Sequence, residues 1–128
     1  MYLLGIDLGS SSVKTSLIDS SKGKVIASSS HPEREMKIMS PEQGFAEQDP
    51  DTWYYHLKMA LRLLMKKTGV NKDDIIAAGI AYQMHGLVLV DKDLKVLRPS
   101  IIWCDSRAVA TGNMAFEEIG KKKCLKQL

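Results

Sequence analysis

The chain has 128 residues, 45% of them hydrophobic, and a net charge of +3 from 18 basic and 15 acidic residues. That is enough for one domain with a real core, too apolar for a disordered chain, and too evenly charged for nucleic acid to be its main partner. No apolar run approaches the length that spans a bilayer, so no membrane partner is expected. The chain opens directly on a strand-like run, and no signal peptide is expected. Cys104 and Cys124 form no CxxC or Cys/His cluster and read as reduced thiols of a cytoplasmic protein.

The first strand is read at Tyr2–Asp7, where Tyr2, Leu3, Leu4 and Ile6 lead to an acidic end. Gly9-Ser10-Ser11-Ser12 then makes a tight polar turn, and a second strand runs from Val13 to Asp19. Gly9 permits backbone conformations that a Cβ resists, and the three serines offer hydroxyls and closely spaced N–H groups of the kind that hold an anion. Asp7 beside such a turn would repel a bare phosphate, and Mg²⁺ linking carboxylate to phosphate would remove the conflict. Taken alone, the stretch reads equally well as an ordinary hairpin turn in which Asp and Ser bond their own backbone. Neither G-x-x-x-x-G-K-[ST] nor G-x-G-x-x-G occurs, so a phosphate site here needs a hairpin and not a helix N-terminus.

The turn Ser20-Ser21-Lys22-Gly23 leads to a third strand, Lys24–Ser30, completing an antiparallel meander. Residues 31–48 form a long polar stretch with Pro32, Pro41 and Gly44, to which no chemistry is assigned. Asp49 as N-cap and Pro50 at the first helical position open a helix with Trp53, Leu57, Ala60, Leu61 and Leu64 on one face. Lys66, Lys67 and Gly69 suit its end, and Trp53 is read as core.

Ile75–Ala81 is apolar without alternation, the pattern of a strand buried on both faces, and the helical crossover makes it parallel to a neighbour. Ligands collect at the carboxyl ends of such strands, where Tyr82-Gln83-Met84-His85-Gly86 lies. Gln83 and His85 are expected on opposite sides of the chain, with Gly86 leaving room for a close approach. The other reading of His85 is a satisfied structural histidine. Leu87–Val90 and Leu94–Leu97 flank Asp91-Lys92-Asp93 as a β-hairpin. Beyond Pro99 and the short run Ile101-Ile102-Trp103, Asp105 is read as the cap of a helix from about Ser106 to Lys122, with Arg107 on its solvated face.

The order β-β-β-α-β is that of the RNase H-like lobe of the actin-like ATPases and sugar kinases. Three stretches carry a resemblance over essentially the whole chain. GIDLGSSSVKTSLID resembles the first phosphate motif of the actin/hexokinase/Hsp70 superfamily. YQMHGLVLVD resembles the substrate segment of the FGGY carbohydrate kinases, and RPSIIWCDSRA the segment that follows it there. The Met84-His85 pair is the part similar to the xylulokinase branch, whereas glycerol kinases carry an Arg-Glu pair at that place. The resemblance implies an α/β lobe with ATP and Mg²⁺ as cofactors and D-xylulose as the small-molecule partner. Asp7 would bind or orient Mg²⁺ at the transferred phosphate, with Gly9, Ser10, Ser11, Ser12 and Lys14 around the β- and γ-phosphates. Lys14 fits on charge grounds, since a cation offsets the charge that builds in transfer, though it also reads as an exposed strand lysine. Gln83, Met84 and His85 would face the sugar, His85 through hydroxyl hydrogen bonds, and Trp103 would offer an aromatic wall to its C–H face. Asp105 matches the family pattern in an orienting role.

Family members are several times longer than this chain. Their catalytic base, an Asp, and the second lobe that holds most of the adenosine would lie beyond residue 128. The resemblance therefore implies the N-terminal part of a first lobe, with a sheet incomplete at its C-terminus. Such an unfinished sheet predicts either marginal stability or pairing, as in a homodimer, through exposed apolar surface and sheet edges. The expected reaction is transfer of the ATP γ-phosphoryl to the 5-hydroxyl of D-xylulose. Two rivals stand beside it: a kinase for another pentulose or polyol, and a non-catalytic binding module that keeps the fold.

Overall fold

The computed structural model describes residues 1–127. Its centre is a four-stranded sheet of order β3-β2-β1-β5, built from β1 (Tyr2–Leu8), β2 (Val13–Asp19), β3 (Lys24–His31) and β5 (Ile75–Tyr82). The first three pair antiparallel, and β5 returns parallel to β1 after helix α1 (Pro50–Thr68), giving the β-β-β-α-β order read from the sequence. The meander closes tightly because Asp19 caps its second turn, accepting from the Ser21 N–H, the Ser21 hydroxyl and the Lys22 N–H. These bonds, the Ser21 hydroxyl first, hold the Asp19 carboxyl below its ordinary range. Gly23 takes the left-handed conformation, φ 63°, that the turn requires.

β2 alternates as a half-buried strand should. Val13, Thr15 and Leu17 are buried, and Lys14 and Ser16 lie on the other face. Helix α1 covers the buried face: the Thr15 and Ser29 hydroxyls both donate to the Ala60 carbonyl, at 3.4 and 2.7 Å. The ends of α1 are those the sequence indicates, with Asp49 accepting from the Asp51 N–H, Pro50 at the start, and Gly69 at φ 64° donating to the Met65 carbonyl. Trp53 is core, packed with Val13, Met36, Ala46 and Ile102.

The polar stretch before α1 is not a loose loop. It folds back beneath the first turn, bridges Met39 to Glu47, and pairs β4 (Glu47–Gln48) antiparallel with β6 (Ser100–Ile101). Glu47, Gln48 and Ser100 are buried there.

Three expectations are corrected. Ile75–Ala81 is not buried on both faces: β5 is an edge strand with Ile76, Ile80 and Tyr82 exposed. Helix α1 seats on β2 and β3, so its layer stops short of β5. The hairpin expected at 87–97 is present but shorter than read: a single antiparallel bridge, Val90 to Val96, flanked by the Asp91 N–H donating to the Lys95 carbonyl and the Leu97 N–H to the Leu89 carbonyl, around a turn in which Asp91 accepts from the Asp93 and Lys95 N–H groups. Its first residue bridges instead to Ile101. Asp105 caps no helix. The C-terminal helices are α2 (Val109–Ile119) and α3 (Lys121–Gln127), and α2 begins at Ala108 without a side-chain cap, because the Asp105 carboxylate is taken elsewhere.

At the outer end of β3, His31 Nδ1 and His56 Nδ1 of α1 lie 2.7 Å apart, with Tyr55 edge-on to both rings. One nitrogen must donate and the other accept, which the doubly protonated pair cannot do. Burial, and then the charge of His31, depress the His56 pKa below its ordinary value. The unfolded chain therefore takes up the proton first, and stability present above about pH 6.5 is lost as pH falls below it. Thermal unfolding stepped from pH 7.5 to 5.5 should show this loss, at no more than about 1.4 kcal/mol per pH unit for one proton. In His56→Gln the slope should flatten over that window; an unchanged slope removes the pair as its cause.

Candidate functional site

Because β1 and β5 run parallel, their carboxyl ends emerge side by side. Leu8 lies opposite Tyr82, and the Gln83 N–H donates to the Leu8 carbonyl at 2.9 Å. The Gly9–Ser12 turn and the segment from Gln83 to Gly86 thus leave one edge of the sheet together.

The turn is closed by the Gly9 N–H donating to the Ser12 carbonyl at 3.2 Å. A Cβ at Gly9 would lie 3.0 Å from that same oxygen, which is why glycine stands there. The Ser10 carbonyl accepts from Gln48 Nε2 at 2.7 Å, and the Ser11 carbonyl from the Met36 N–H at 2.8 Å. A trans peptide points its C=O and N–H in opposite directions. Holding these two carbonyls against the protein therefore directs the Ser11 and Ser12 N–H groups away from it, the arrangement an anion needs. The Ser10 hydroxyl accepts from Trp103 Nε1 at 3.2 Å.

Asp7 and Lys14 are cross-strand partners on the sheet face opposite α1. Lys14 Nζ stands 3.7 Å from Asp7 Oδ2, with both side chains more than half exposed. A pair so exposed contributes little to stability and leaves both groups available. They line a shallow depression of about 260 Å³ with Gly5, Ile6 and Ser16, whose small residues keep the floor low.

Behind the strand ends lies a cavity of about 200 Å³ walled by Leu8, Trp53, Tyr82, Gln83, His85, Gly86 and Val88. Both polar atoms of the Gln83 side chain are buried here without a protein partner. His85 has φ 61°, a left-handed conformation rare for a residue with a side chain. Residues two apart on an extended chain face the same side, and Gln83 and His85 accordingly line the same cavity and do not point to opposite sides. Met84 projects outward and is exposed, as is Trp103, and neither lines this cavity. The structure thus gathers Gln83 and His85 in one place and Asp7 with Lys14 in another. The serine turn is braced close by, and Met84, Trp103 and Asp105 lie apart from the cavity.

Asp105 belongs to a part-buried charge cluster. Its carboxylate accepts from the Ala46 N–H at 2.6 Å and from Arg107 Nε and Nη2 at 2.8 and 2.7 Å. Arg107 also bonds Glu47 at 2.6 Å and stacks over the Phe45 ring, and Arg98 bonds Glu47 from the other side. The Arg107 hydrogen bonds hold the Asp105 carboxyl far below the ordinary carboxylate range against the opposing effect of burial. In return Asp105, and then Glu47, raise the Arg107 pKa. Arg107 is not on a solvated helix face: it ties the 44–48 segment to the 98–107 segment. Glu47, Gln48 and Arg107 were not legible as site residues. The one sequence signal was a polar Glu-Gln pair set between Phe45-Ala46 and a helix cap, where burial demands partners from elsewhere in the chain.

Among the described residues there is no group of three His, Cys, Asp or Glu side chains able to hold a metal, and no helix is long and apolar enough to cross a membrane.

Comparison with known proteins covers nearly the whole chain. The xylulose kinase of Bacillus subtilis is 41% identical over 106 residues, which is 83% of this chain and 20% of that protein. The xylulose kinase of Klebsiella pneumoniae is 41% identical over 107 residues, 84% of this chain and 21% of that one. Among solved structures, a xyloylose kinase from Brucella ovis superposes with a TM-score of 0.78 at 33% identity, over 93% of this chain and 25% of its own. A ligand-bound xylulose kinase from Lactobacillus acidophilus gives 0.80 at 28% identity, over 92% of this chain and 23% of its own. This chain therefore spans about a fifth to a quarter of the length of the relatives it matches. These neighbours are actin-like ATPase-fold kinases, in agreement with the α/β lobe expected from the sequence. The model of the FGGY family of carbohydrate kinases, N-terminal domain, matches residues 2–128, and the chain belongs to that family.

Proposed function

We propose that this chain supplies the phosphate turn and part of the sugar pocket of an ATP- and Mg²⁺-dependent kinase that phosphorylates D-xylulose on its 5-hydroxyl. The observation that carries the reading is the Gln83 amide, a buried donor and acceptor pair left open in a cavity beside the serine turn. Buried polar groups are almost always satisfied, so an open pair of this kind suits a ligand that brings hydroxyls. His85 adds a second hydrogen-bonding group, and Trp53 and Tyr82 supply ring surface for C–H groups.

Asp7 alone cannot enclose a cation. It fits Mg²⁺, which takes one or two carboxylates and fills its remaining positions with water and substrate phosphates. Asp7 would hold the ion and Lys14 would approach the phosphate oxygens, while the Ser11 and Ser12 N–H groups cradle them. When bound, the ion neutralises charge on the transferred phosphoryl group. The chain's own contribution is positioning, which dominates catalysis of phosphoryl transfer.

A general base must reach the sugar hydroxyl, and no carboxylate lines the cavity among the described residues. Asp49 caps α1, Asp91 caps a turn, and Asp105 is held ionised by Arg107, too weak a base for the task. The base in this reading comes from a segment outside residues 1–128. A coupled ADP-release assay on the 128-residue chain with D-xylulose, ATP and Mg²⁺ should show no sugar-dependent turnover. Release at about 1–100 s⁻¹, the usual kinase range, would instead make His85 the base.

Sugar binding should survive in the chain even so. His85→Ala should weaken D-xylulose by about two- to tenfold, the effect of one lost hydrogen bond, and leave Mg²⁺-triphosphate affinity unchanged. Calorimetric titration with D-xylulose, D-ribulose and glycerol orders the candidate substrates, and equal D-xylulose affinities in variant and wild type would return His85 to a structural role. Asp7→Asn should abolish the dependence of triphosphate binding on Mg²⁺ while the unfolding temperature stays near that of wild type. Unaltered Mg²⁺ dependence would remove Asp7 from the metal site.

A further inference from the structure

The turn and the cavity meet in one buried side chain that neither the motifs nor the family match assigns. Gln48 is 1% exposed. Its Nε2 donates to the Ser10 carbonyl at 2.7 Å and toward the Lys37 carbonyl at 3.4 Å, and its Oε1 accepts the Trp53 indole N–H at 3.0 Å. Trp53 is itself a wall of the cavity. A backbone connection ends on the same residue: the Leu87 N–H, next to the cavity wall, donates to Ile101 at 2.9 Å, and β6 pairs with β4 so that Ser100 opposes Gln48.

We propose that Gln48 is a positioning residue that transmits occupancy of the cavity to the phosphate turn, through the Trp53 indole on one side and the Ser10 carbonyl on the other. The proposal rests on the assignment of the cavity to sugar and the turn to phosphate. An amide suits the task because its two partners make opposite demands, a donor for Ser10 and an acceptor for Trp53. Glutamate would set an acceptor against the Ser10 carbonyl and bury a charge; methionine would fill the space and bond neither. The Ser10 carbonyl matters because it fixes the plane of the Ser10–Ser11 peptide, and so the direction of the Ser11 N–H. A sugar that presses on the Trp53 ring moves the indole N–H, the amide follows, and the peptide plane turns with it. By linkage, phosphate at the turn tightens sugar in the cavity by the same factor.

The test is solution NMR of the ¹⁵N-labelled 128-residue chain as wild type, Gln48→Met, Trp53→Phe and the double variant. Trp53→Phe keeps a ring in the wall and removes only the N–H, so it reports from the far end of the relay should Gln48→Met fail to fold. Without ligand, both single variants should shift the Ser11 and Ser12 amides and leave the Asp19–Gly23 turn unmoved, and the double variant should shift them no further than Gln48→Met alone. A merely structural contact gives additive shifts, and additivity, or a turn untouched by Trp53→Phe, overturns the proposal. With ligands, saturating D-xylulose should tighten Mg²⁺-tripolyphosphate about three- to tenfold in wild type. In Gln48→Met that factor should fall to one while each probe still binds alone. Retention of the full factor in Gln48→Met overturns the relay. If neither probe binds wild type, the functional reading has failed, and the ligand-free comparison decides the relay by itself.

Discussion

The parallel pairing of β1 with β5 is the constraint on which the site depends. Two parallel neighbours end at the same edge, so the loops that follow them are forced into proximity although they lie about seventy residues apart in the chain. One loop is Gly-Ser-Ser-Ser, rich in N–H and hydroxyl groups, and the other is Gln-Met-His-Gly, which carries an amide and an imidazole. The antiparallel meander contributes differently. It sets Lys14 directly opposite Asp7 and so delivers a cation and an anion to the face that α1 leaves open.

Proximity alone would leave the loops free to move. They are braced from below by a second, smaller sheet in which β4 and β6 pair, and by the Glu47-Asp105-Arg98-Arg107 cluster that staples their flanks. Two carboxylates meet two guanidiniums there, and the Ala46 N–H fills a remaining acceptor site on Asp105. A part-buried pair so completely bonded is costly to break from one side, since the partner left behind is an uncompensated charge. Its role is to fix geometry. The Ser10 and Ser11 carbonyls hang from Gln48 and Met36, and Gln48 sits on the segment the cluster holds in place.

What was legible in the sequence follows from the range of the physics involved. The meander, the caps of α1 and the parallel return strand are written in local signals: period-two alternation, Asp49-Pro50, Gly69, and an apolar run after a helix. The placement of Asp7, Ser10 and His85 at the ends of β1 and β5 was legible too, because a strand end followed by glycine and polar groups is a local pattern. Burial of β5 was misread because a continuous apolar run reports what a strand tolerates, whereas exposure depends on which layer covers it, and α1 covers only β2 and β3. Asp105 was misread for a related reason. An Asp before a helical pattern is a cap unless a stronger partner competes; Arg107 and the Ala46 N–H occupy the Asp105 carboxylate, and the helix starts three residues later at Ala108. Gln48 was invisible because its three partners come from residues 10, 37 and 53.

The shape of the cavity ties stability to function. The open amide of Gln83 and the left-handed backbone at His85 both work against folding, the first by about 1–3 kcal/mol for an unsatisfied buried group and the second by a similar amount for strained backbone. Among the described residues nothing satisfies the Gln83 amide, and the His85 ring lines the same cavity. A ligand that satisfies the amide recovers part of that cost, and anything that binds only the folded chain stabilises it in proportion to its occupancy. Strain of this kind is tolerated because the rest of the edge is over-determined: the Gln83 N–H is locked to Leu8, and Leu87 beyond it to Ile101. Backbone hydrogen bonds anchor the chain on both sides of the strained residues, which opposes relaxation of the left-handed backbone at His85.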